Sequence, residues 1–284
     1  MNPFAQAPSW LPDAATMSAR VTDLTTGEIV WEHDSSRVLK TASVGKVFLL
    51  AEVARRFEDG TLDPDEVITA VPEDRVADSG ILYLLRRQDQ RVEDLCLLIG
   101  AVSDNMATNV LLRRLGLDVV QRATSDLGFT ESGLRDMVRL NRPEDDPLTL
   151  SVGNAAELCA FIARLDAGDI HSGAVSQRVR RWLGVNADLS MVAQSFGLDP
   201  LAHTGADHGF ELWNKTGTIS DARIDIGCVG STVSGRRIAY AVLVNWPWGQ
   251  DHRDPVLAAM QRIGLQVRRY LEDGAQTGSA TPVI

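Results

Sequence analysis

The chain changes from helical to strand-like patterning at residues 211–217, whose sequence is ELWNKTG. Two more short apolar runs follow, Ile224 to Val233 and Arg237 to Asn245, and turn-forming residues separate them. Helical spacing returns from Val256 to Leu271. The last quarter of the chain is therefore predicted to supply three strands and a closing helix.

The amino-terminal part predicts a hairpin, because Met17 to Leu24 and Glu28 to Trp31 alternate in polarity around a glycine turn. The middle of the chain is mostly helical. Four segments there repeat the 3.6-residue apolar spacing, namely Val44 to Phe57, Val92 to Val102, Met106 to Leu115 and Asn154 to Leu165. Strands at both ends and helices between them predict one sheet assembled from the two termini, with an all-helical lobe inserted.

The balance of acidic and basic residues limits the classes of molecule that the protein is expected to bind. The 284 residues include 38 acids and 28 bases, a net charge of -10, which argues against nucleic-acid binding. No apolar run reaches the ~18 residues that a membrane span needs. The first residues have neither the basic nor the hydrophobic region of a signal peptide, so a cytoplasmic location is expected, or an exported one if a leader has been removed.

The cationic residues are unevenly divided, because 25 are arginines and three are lysines, Lys40, Lys46 and Lys215. An ammonium group loses its proton when it is desolvated, whereas a guanidinium group effectively does not. In this chain a lysine is therefore a candidate for chemistry.

The first candidate motif is Ser43-Val44-Gly45-Lys46, at the opening of the first long helix. A hydroxyl and an amine three residues apart project from nearly the same face, so the amine can take the serine proton. Burial would lower the lysine pKa toward the working range. The alternative is a serine N-cap with an unrelated lysine downstream.

Two further motifs follow in the chain. Residues 103–105, Ser-Asp-Asn, stand at the start of a helix, where they are either site residues or a capping turn. Residues 215–217, Lys-Thr-Gly, end a strand-like run, and the glycine lets a ligand approach the strand backbone closely. The alternative there is an edge-strand lysine before a turn. The three motifs together, with two of the three lysines in them, favour the catalytic interpretation.

The sequence resembles the class A β-lactamases and penicillin-binding proteins, whose motifs occur in this order. The resemblance covers about Ala14 to Leu271. It implies an α+β fold with an antiparallel sheet flanked by helices. The α/β lobe would consist of residues 1–42 and 205–284, an all-helical lobe of residues 43–204, and the active site would lie between them.

The resemblance also implies roles for the motif residues. Ser43 would be the acylated nucleophile, Lys46 its proton acceptor and Ser103 a proton relay to the leaving nitrogen. Asn105 would bind the substrate amide. The site is expected to need no metal or organic cofactor.

The strand motif is expected to recognise the substrate. By resemblance, Lys215 and Thr216 would face a substrate carboxylate, and the N–H of Thr218 would form the oxyanion hole with that of Ser43. Arg223 resembles an arginine that reaches the same carboxylate from the neighbouring strand. The alternative for Arg223 is a surface arginine.

The chain departs from the resemblance in one loop. Class A β-lactamases carry a Glu-x-x-Leu-Asn segment there, and counting back from the helix at Asn154 without a gap aligns it with Met137 to Asn141. Asn141 is then a substrate-binding candidate, but Met137 stands at the position of the glutamate and cannot accept a proton. A shifted loop would let Asp136 or the acids at 144–146 supply the base, although that acidic run also fits a solvated loop.

The predicted function is thus a β-lactamase-like serine hydrolase that forms an acyl-enzyme with a lactam, amide or ester. Without the glutamate, deacylation of β-lactams is expected to be slow. The expected partner is a small molecule with a carboxylate. The alternative is a β-lactam-binding or sensor protein of the penicillin-binding type, which does not turn over.

Overall fold

The computed structural model of the chain describes Phe4 and residues 6–276. The strands are β1 Thr16–Asp23, β2 Ile29–His33, β3 Leu39–Lys40, β4 Val67–Thr69, β5 Asp89–Arg91, β6 Gly133–Leu134, β7 Ser151–Gly153, β8 Phe210–Ile219, β9 Ala222–Ser231 and β10 Arg237–Asn245. The helices are α1 Lys46–Glu58, α2 Val92–Val102, α3 Asn105–Leu115, α4 Leu117–Asp126, α5 Ala155–Ala167, α6 Gly173–Leu183 and α7 Arg253–Gln276.

The main sheet joins the two ends of the chain, as predicted. Its order is β2-β1-β10-β9-β8, and every neighbouring pair is antiparallel. β1 lies against β10, with Thr16 opposite Asn245 and Asp23 opposite Ile238. The predicted α+β class is therefore confirmed, and β8, which carries the Lys-Thr-Gly motif, lies at an edge of the sheet.

Both faces of the sheet are covered. In β10, Ala239, Ala241 and Leu243 belong to an inner core between the sheet and helices α1–α6, whereas Tyr240 and Val242 belong to an outer core beneath α7. This alternation follows from the period of two along a strand. Because both faces are buried, the central strands have nearly continuous apolar sequences.

Helix α1 runs through the inner core and fixes the position of its first residue, Lys46. Phe48 packs edge-on against Phe161 at 5.1 Å between ring centroids. The buried carboxylate of Glu52 is paired with the guanidinium groups of Arg55 and Arg56 at 2.8 and 2.6 Å. A buried acid that is paired in this way does not disrupt the helix.

Helices α4 and α6 were not predicted individually. In α6, Val175, Val179, Trp182 and Leu183 face the inner core, but arginines between them conceal the periodicity. The lobe boundary at residue 204 stays a prediction. Six residues between 189 and 198 pack in the outer core with α7. No helix within residues 6–276 is long and apolar enough to cross a membrane.

Candidate active site

A cleft opens between the end of β8, the start of α1 and the loop before β7. Its large arm is a cavity of about 660 Å³ that includes Asn105, residues 138–142 and Trp248. A small arm of about 340 Å³ adjoins it and includes Ser103, Asp188 and Thr216. Ser43 lines both arms, so it lies where they meet.

Two close contacts hold the backbone of Ser43. The residue lies in a 3-10 turn, Ala42–Gly45, immediately before α1. A Cβ on Gly45 would lie 2.4 Å from the Cβ of Ser151, and a Cβ on Gly217 would lie 2.4 Å from the carbonyl oxygen of Thr41. Only glycine fits at both positions, so the glycine of the Lys-Thr-Gly motif lets β8 press directly on the turn that carries Ser43.

Lys46 is fully buried beside the Ser-Asp-Asn turn. Its Nζ donates to the carbonyl oxygen of Ser103 at 2.7 Å and to Oδ1 of Asn105 at 2.8 Å. Burial holds the pKa of Lys46 well below its usual value, and the charge of Lys215 lowers it further. A neutral amine has two N–H groups and one lone pair. Since both N–H groups have acceptors, the lone pair is available to take a proton.

The Ser43 hydroxyl and the Lys46 amine are neighbours without a direct hydrogen bond. Within the described residues, the side-chain bonds of Lys46 lead to Ser103 and Asn105 instead. The sequence did not predict this arrangement, because a spacing of three residues does not reveal competing acceptors from another helix. Catalytic hydrogen bonds are often long without substrate and shorten when it binds.

The Ser-Asp-Asn turn caps a helix and also lies beside Lys46. Asp104 caps α3 by accepting from the N–H of Ala107 at 2.9 Å, and its other oxygen accepts from the N–H groups of Ile81 and Leu82. Ser103 has a φ of +55°, which turns the chain sharply before the helix. The cap thus holds the residues on either side of it, Ser103 and Asn105, against Lys46.

Lys215 connects β8 to the same turn. Its Nζ is fully buried and donates to Oγ of Ser103 at 3.0 Å and to the carbonyl oxygen of Thr216 at 2.8 Å. Burial lowers the pKa of Lys215 to about 8, against the opposing effect of Asp188 and Asp225. At neutral pH it therefore remains mostly charged. The structure brings the three motifs together at Ser103, which both lysines contact.

Because β8 is an edge strand, some of its backbone N–H groups are free to form the predicted oxyanion hole. Alternate residues of an edge strand turn their N–H and C=O groups away from the sheet. The carbonyl oxygen of Thr216 points outward, because it accepts from Lys215. Thr218 has the same parity along β8 and, like Ser43, lines both arms of the cleft, which is consistent with the predicted oxyanion hole.

Comparison with known proteins identifies the family of this chain. A family model described as the beta-lactamase enzyme family matches residues 10–271. The chain belongs to this family. The resemblance inferred from the three motifs is thereby confirmed. The comparison with curated proteins found no match.

Solved structures of the beta-lactamase family share the fold at low sequence identity. A β-lactamase from Sphaerobacter thermophilus is 22% identical over 99% of this chain and 98% of that chain, with a TM-score of 0.80. PBP-A is 19% identical over 96% and 97%, with a TM-score of 0.80. A class A β-lactamase from Mycobacterium abscessus is 20% identical over 95% and 99%, with a TM-score of 0.77. A leucine-to-glutamate variant of PBP-A, with a TM-score of 0.79, was solved as an acyl-enzyme complex with penicillin G.

In the loop that departs from the class A pattern, the structure shows which side chains face the cleft, and the alignment of Met137 with the glutamate stays a prediction. Val138, not Met137, lines the large arm of this beta-lactamase family protein. The side chain of Asn109 fixes the backbone at this position, because it accepts from the N–H of Val138 at 2.9 Å and donates to its carbonyl oxygen at 3.0 Å. Met137 is half-buried against the inner core. Asn141 lines the large arm as predicted for a substrate contact.

Asp136, which was considered as a replacement base, is held by ion pairs and a hydrogen bond within its own loop. Its buried carboxylate pairs with Arg139 at 3.0 Å and with Arg142, and accepts from the N–H of Met137 at 2.7 Å. Asp136 is not among the described residues that line either arm. Its carboxylate therefore secures the base of the loop rather than facing a water beside Ser43.

Replacing Asp136 by asparagine is expected to lower the free energy of unfolding by about 2 kcal/mol, the usual effect of losing a hydrogen-bonded charge partner. Arg139 and Arg142 would then face a neutral amide. Urea unfolding measures the change. Asp145→Asn, an exposed change in the same loop, is the control and should have little effect. Equal effects of the two variants would contradict the assignment of Asp136 as the residue that holds the loop.

Arg223 is not brought into the cleft lining. Its guanidinium donates to the carbonyl oxygens of Ile219 and Ala222 at 2.6 and 2.8 Å and lies 5.6 Å from the centroid of the Trp246 ring. The turn between β8 and β9 thus uses the Nη1 donors of the guanidinium. The role of Arg223 in carboxylate binding stays a prediction.

Two acids of the cleft, Asp221 and Asp188, were not singled out in the sequence as site residues. Lys40 pairs with the buried carboxylate of Asp221 at the edge of the large arm. Asp188 lines the small arm, although its segment lies outside any motif. That segment is held in place by Asn186, which donates to Oδ1 of Asn214 at 2.9 Å. The contact spans 28 residues, so local sequence does not reveal it.

Proposed function

We propose that the protein is a serine hydrolase that opens a lactam, amide or ester through an acyl-enzyme on Ser43 and releases β-lactam-derived acyl groups slowly. The observation that carries this proposal is the convergence of Lys46 and Lys215 on Ser103, next to Ser43 at the junction of the two arms. Membership of the beta-lactamase family supports the hydrolase class.

The contacts support a definite acylation path. Oγ of Ser43 attacks the carbonyl carbon of the substrate, and its proton passes to the lone pair of Lys46. The N–H groups of Ser43 and Thr218 stabilise the oxyanion. When the carbon–nitrogen bond breaks, the Ser103 hydroxyl gives its proton to the leaving nitrogen and takes one from the Lys46 ammonium. Both lysines end the step in the protonation state in which they began.

The large arm lacks an obvious base for deacylation. The loop residues that line the large arm, 138–142 and 148–150, include no carboxylate among the described residues. Asp221 is bound to Lys40, and Asp78 lies exposed on the opposite wall. Since general-base help is worth about 10²–10⁴-fold, an acyl group would persist without it. This feature also favours the second candidate, a penicillin-binding or sensor protein that does not turn over.

Intact-mass measurement after mixing with penicillin G tests the proposal. The expected result is an added mass equal to that of the penicillin, absent from Ser43→Ala, which then disappears slowly. A lasting adduct identifies the sensor alternative. The absence of an adduct from the wild-type chain, or an adduct that Ser43→Ala retains, would overturn the assignment of Ser43 as the nucleophile.

A further inference from the structure

The small arm carries an acid where the resemblance placed a substrate carboxylate. Among the described residues that line this arm, Asp188 is the one with an ionisable carboxyl or basic group. The others supply hydroxyl, amide and small apolar side chains, including Ser103, Thr216 and Thr218. Asp188 is thus placed to interact with the part of a substrate that leaves past Ser103.

The Asp188 carboxylate is held in a fixed position. Its Oδ1 accepts from the N–H of Ser190 at 3.1 Å and from the Ser190 hydroxyl at 2.6 Å. Its carbonyl oxygen accepts from Asn186 at 3.1 Å and from Asn214 at 3.4 Å. Within the described residues, Oδ2 has no recorded hydrogen bond or ion pair. One carboxylate oxygen is therefore anchored and the other is free for a ligand.

The two nearby cations do not neutralise this acid directly. Lys215 donates to Ser103 and Thr216, and Nη1 of Arg223 donates to carbonyl oxygens of the β8–β9 turn. Neither forms an ion pair with Asp188 within the described residues. Burial lowers the pKa values of Lys215 and Arg223, and the charge of Asp188 raises both of them. Asp188 is therefore close enough to act on both cations. A substrate carboxylate in this arm would meet a fixed negative charge of the protein.

We propose that Asp188 is a specificity-determining residue that disfavours a carboxylate on the leaving-group side of the substrate and favours a neutral or cationic group there. The proposal rests on the acyl-enzyme function above and revises the predicted substrate carboxylate. Its physical basis is like-charge repulsion in a partly buried arm, where solvent screens charges less than at the surface.

The test compares penicillin G with its methyl ester, which differ by one negative charge on the leaving side. Rates of adduct formation on Ser43 are measured by intact mass for the wild-type chain, Asp188→Asn and Asp126→Asn. Asp188→Asn retains an oxygen for Ser190 while removing the charge. We expect it to raise the acid-to-ester rate ratio by about tenfold, as removal of a nearby like charge should. Asp126, exposed at the end of α4, controls for net charge, and its change should leave the ratio unaltered.

The outcomes separate this inference from the proposal on which it rests. If both probes acylate Ser43 and Asp188→Asn leaves the ratio unchanged, the role of Asp188 is overturned and the acyl-enzyme function stands. An equal rise in Asp126→Asn would also overturn it, because the effect would then belong to overall charge. If neither probe forms an adduct, the proposed function and this inference both fail. Thermal unfolding of each variant verifies that it is folded.

Discussion

Replacing Lys46 by methionine is expected to slow acylation of Ser43 by about 10³-fold, within the range that general-base help contributes. The methionine side chain has nearly the same length and fits a fully buried position, but it has no lone pair of sufficient basicity. The lone pair of Lys46 is otherwise free, because both N–H groups of the neutral amine bind Ser103 and Asn105. The rate of adduct formation by intact mass measures the loss.

Lys40 provides the matched control for this substitution. It is also a lysine of the cleft, but its Nζ binds Asp221 at the edge of the large arm and not Ser103 or Asn105. Lys40→Met makes the same chemical change and should leave the acylation rate near that of the wild-type chain. Acylation of Lys46→Met at a near wild-type rate would show that another group takes the proton.

The pH dependence of acylation should reflect both buried lysines. Below the pKa of Lys46, which burial and Lys215 hold well under its usual value, the amine is protonated and the rate falls. Above about pH 8, Lys215 loses its proton and the charge that supports Ser103, so the rate falls again. Lys215→Arg keeps its charge in this range. It should therefore remove the alkaline fall while retaining the acid one.

The motifs predicted the centre of this site because their chemistry is local. Ser43 and Lys46 are three residues apart, and the glycine at 217 was expected to allow close approach of a ligand, whereas the structure shows the backbone of Thr41 there. The sheet was equally predictable, since β8, β9 and β10 have strong apolar runs bounded by turns.

Contacts between residues that are far apart in the chain could not be predicted from the sequence. The position of Val138 depends on Asn109, 29 residues earlier, which holds both backbone groups of Val138. A count along the sequence does not reveal such a contact. The contacts of Arg223 are another example, because its sequence position does not show that carbonyl oxygens at the turn accept from its Nη1.

The Val138→Glu substitution is expected to have the second large effect, which is a faster deacylation of Ser43. Val138 lines the large arm together with Ser43 and Asn105, so a glutamate there would reach the water that attacks the acyl group. Loss of the penicillin adduct should accelerate by about 10²-fold or more, the lower end of general-base help. The time course of the adduct mass, after removal of excess penicillin, measures it.

Met137→Glu is the matched control for this variant, since it makes nearly the same chemical change one residue earlier. Met137 is half-buried against the inner core and is not among the described residues that line either arm, so a carboxylate there would not reach the cleft and the adduct should clear at the wild-type rate. Faster clearance in Met137→Glu than in Val138→Glu would mean that the loop follows the gap-free count in solution. Faster clearance in Val138→Glu alone would establish that the slow step is limited by a missing carboxylate, because the nucleophile, both lysines and the oxyanion donors are the same in the two variants.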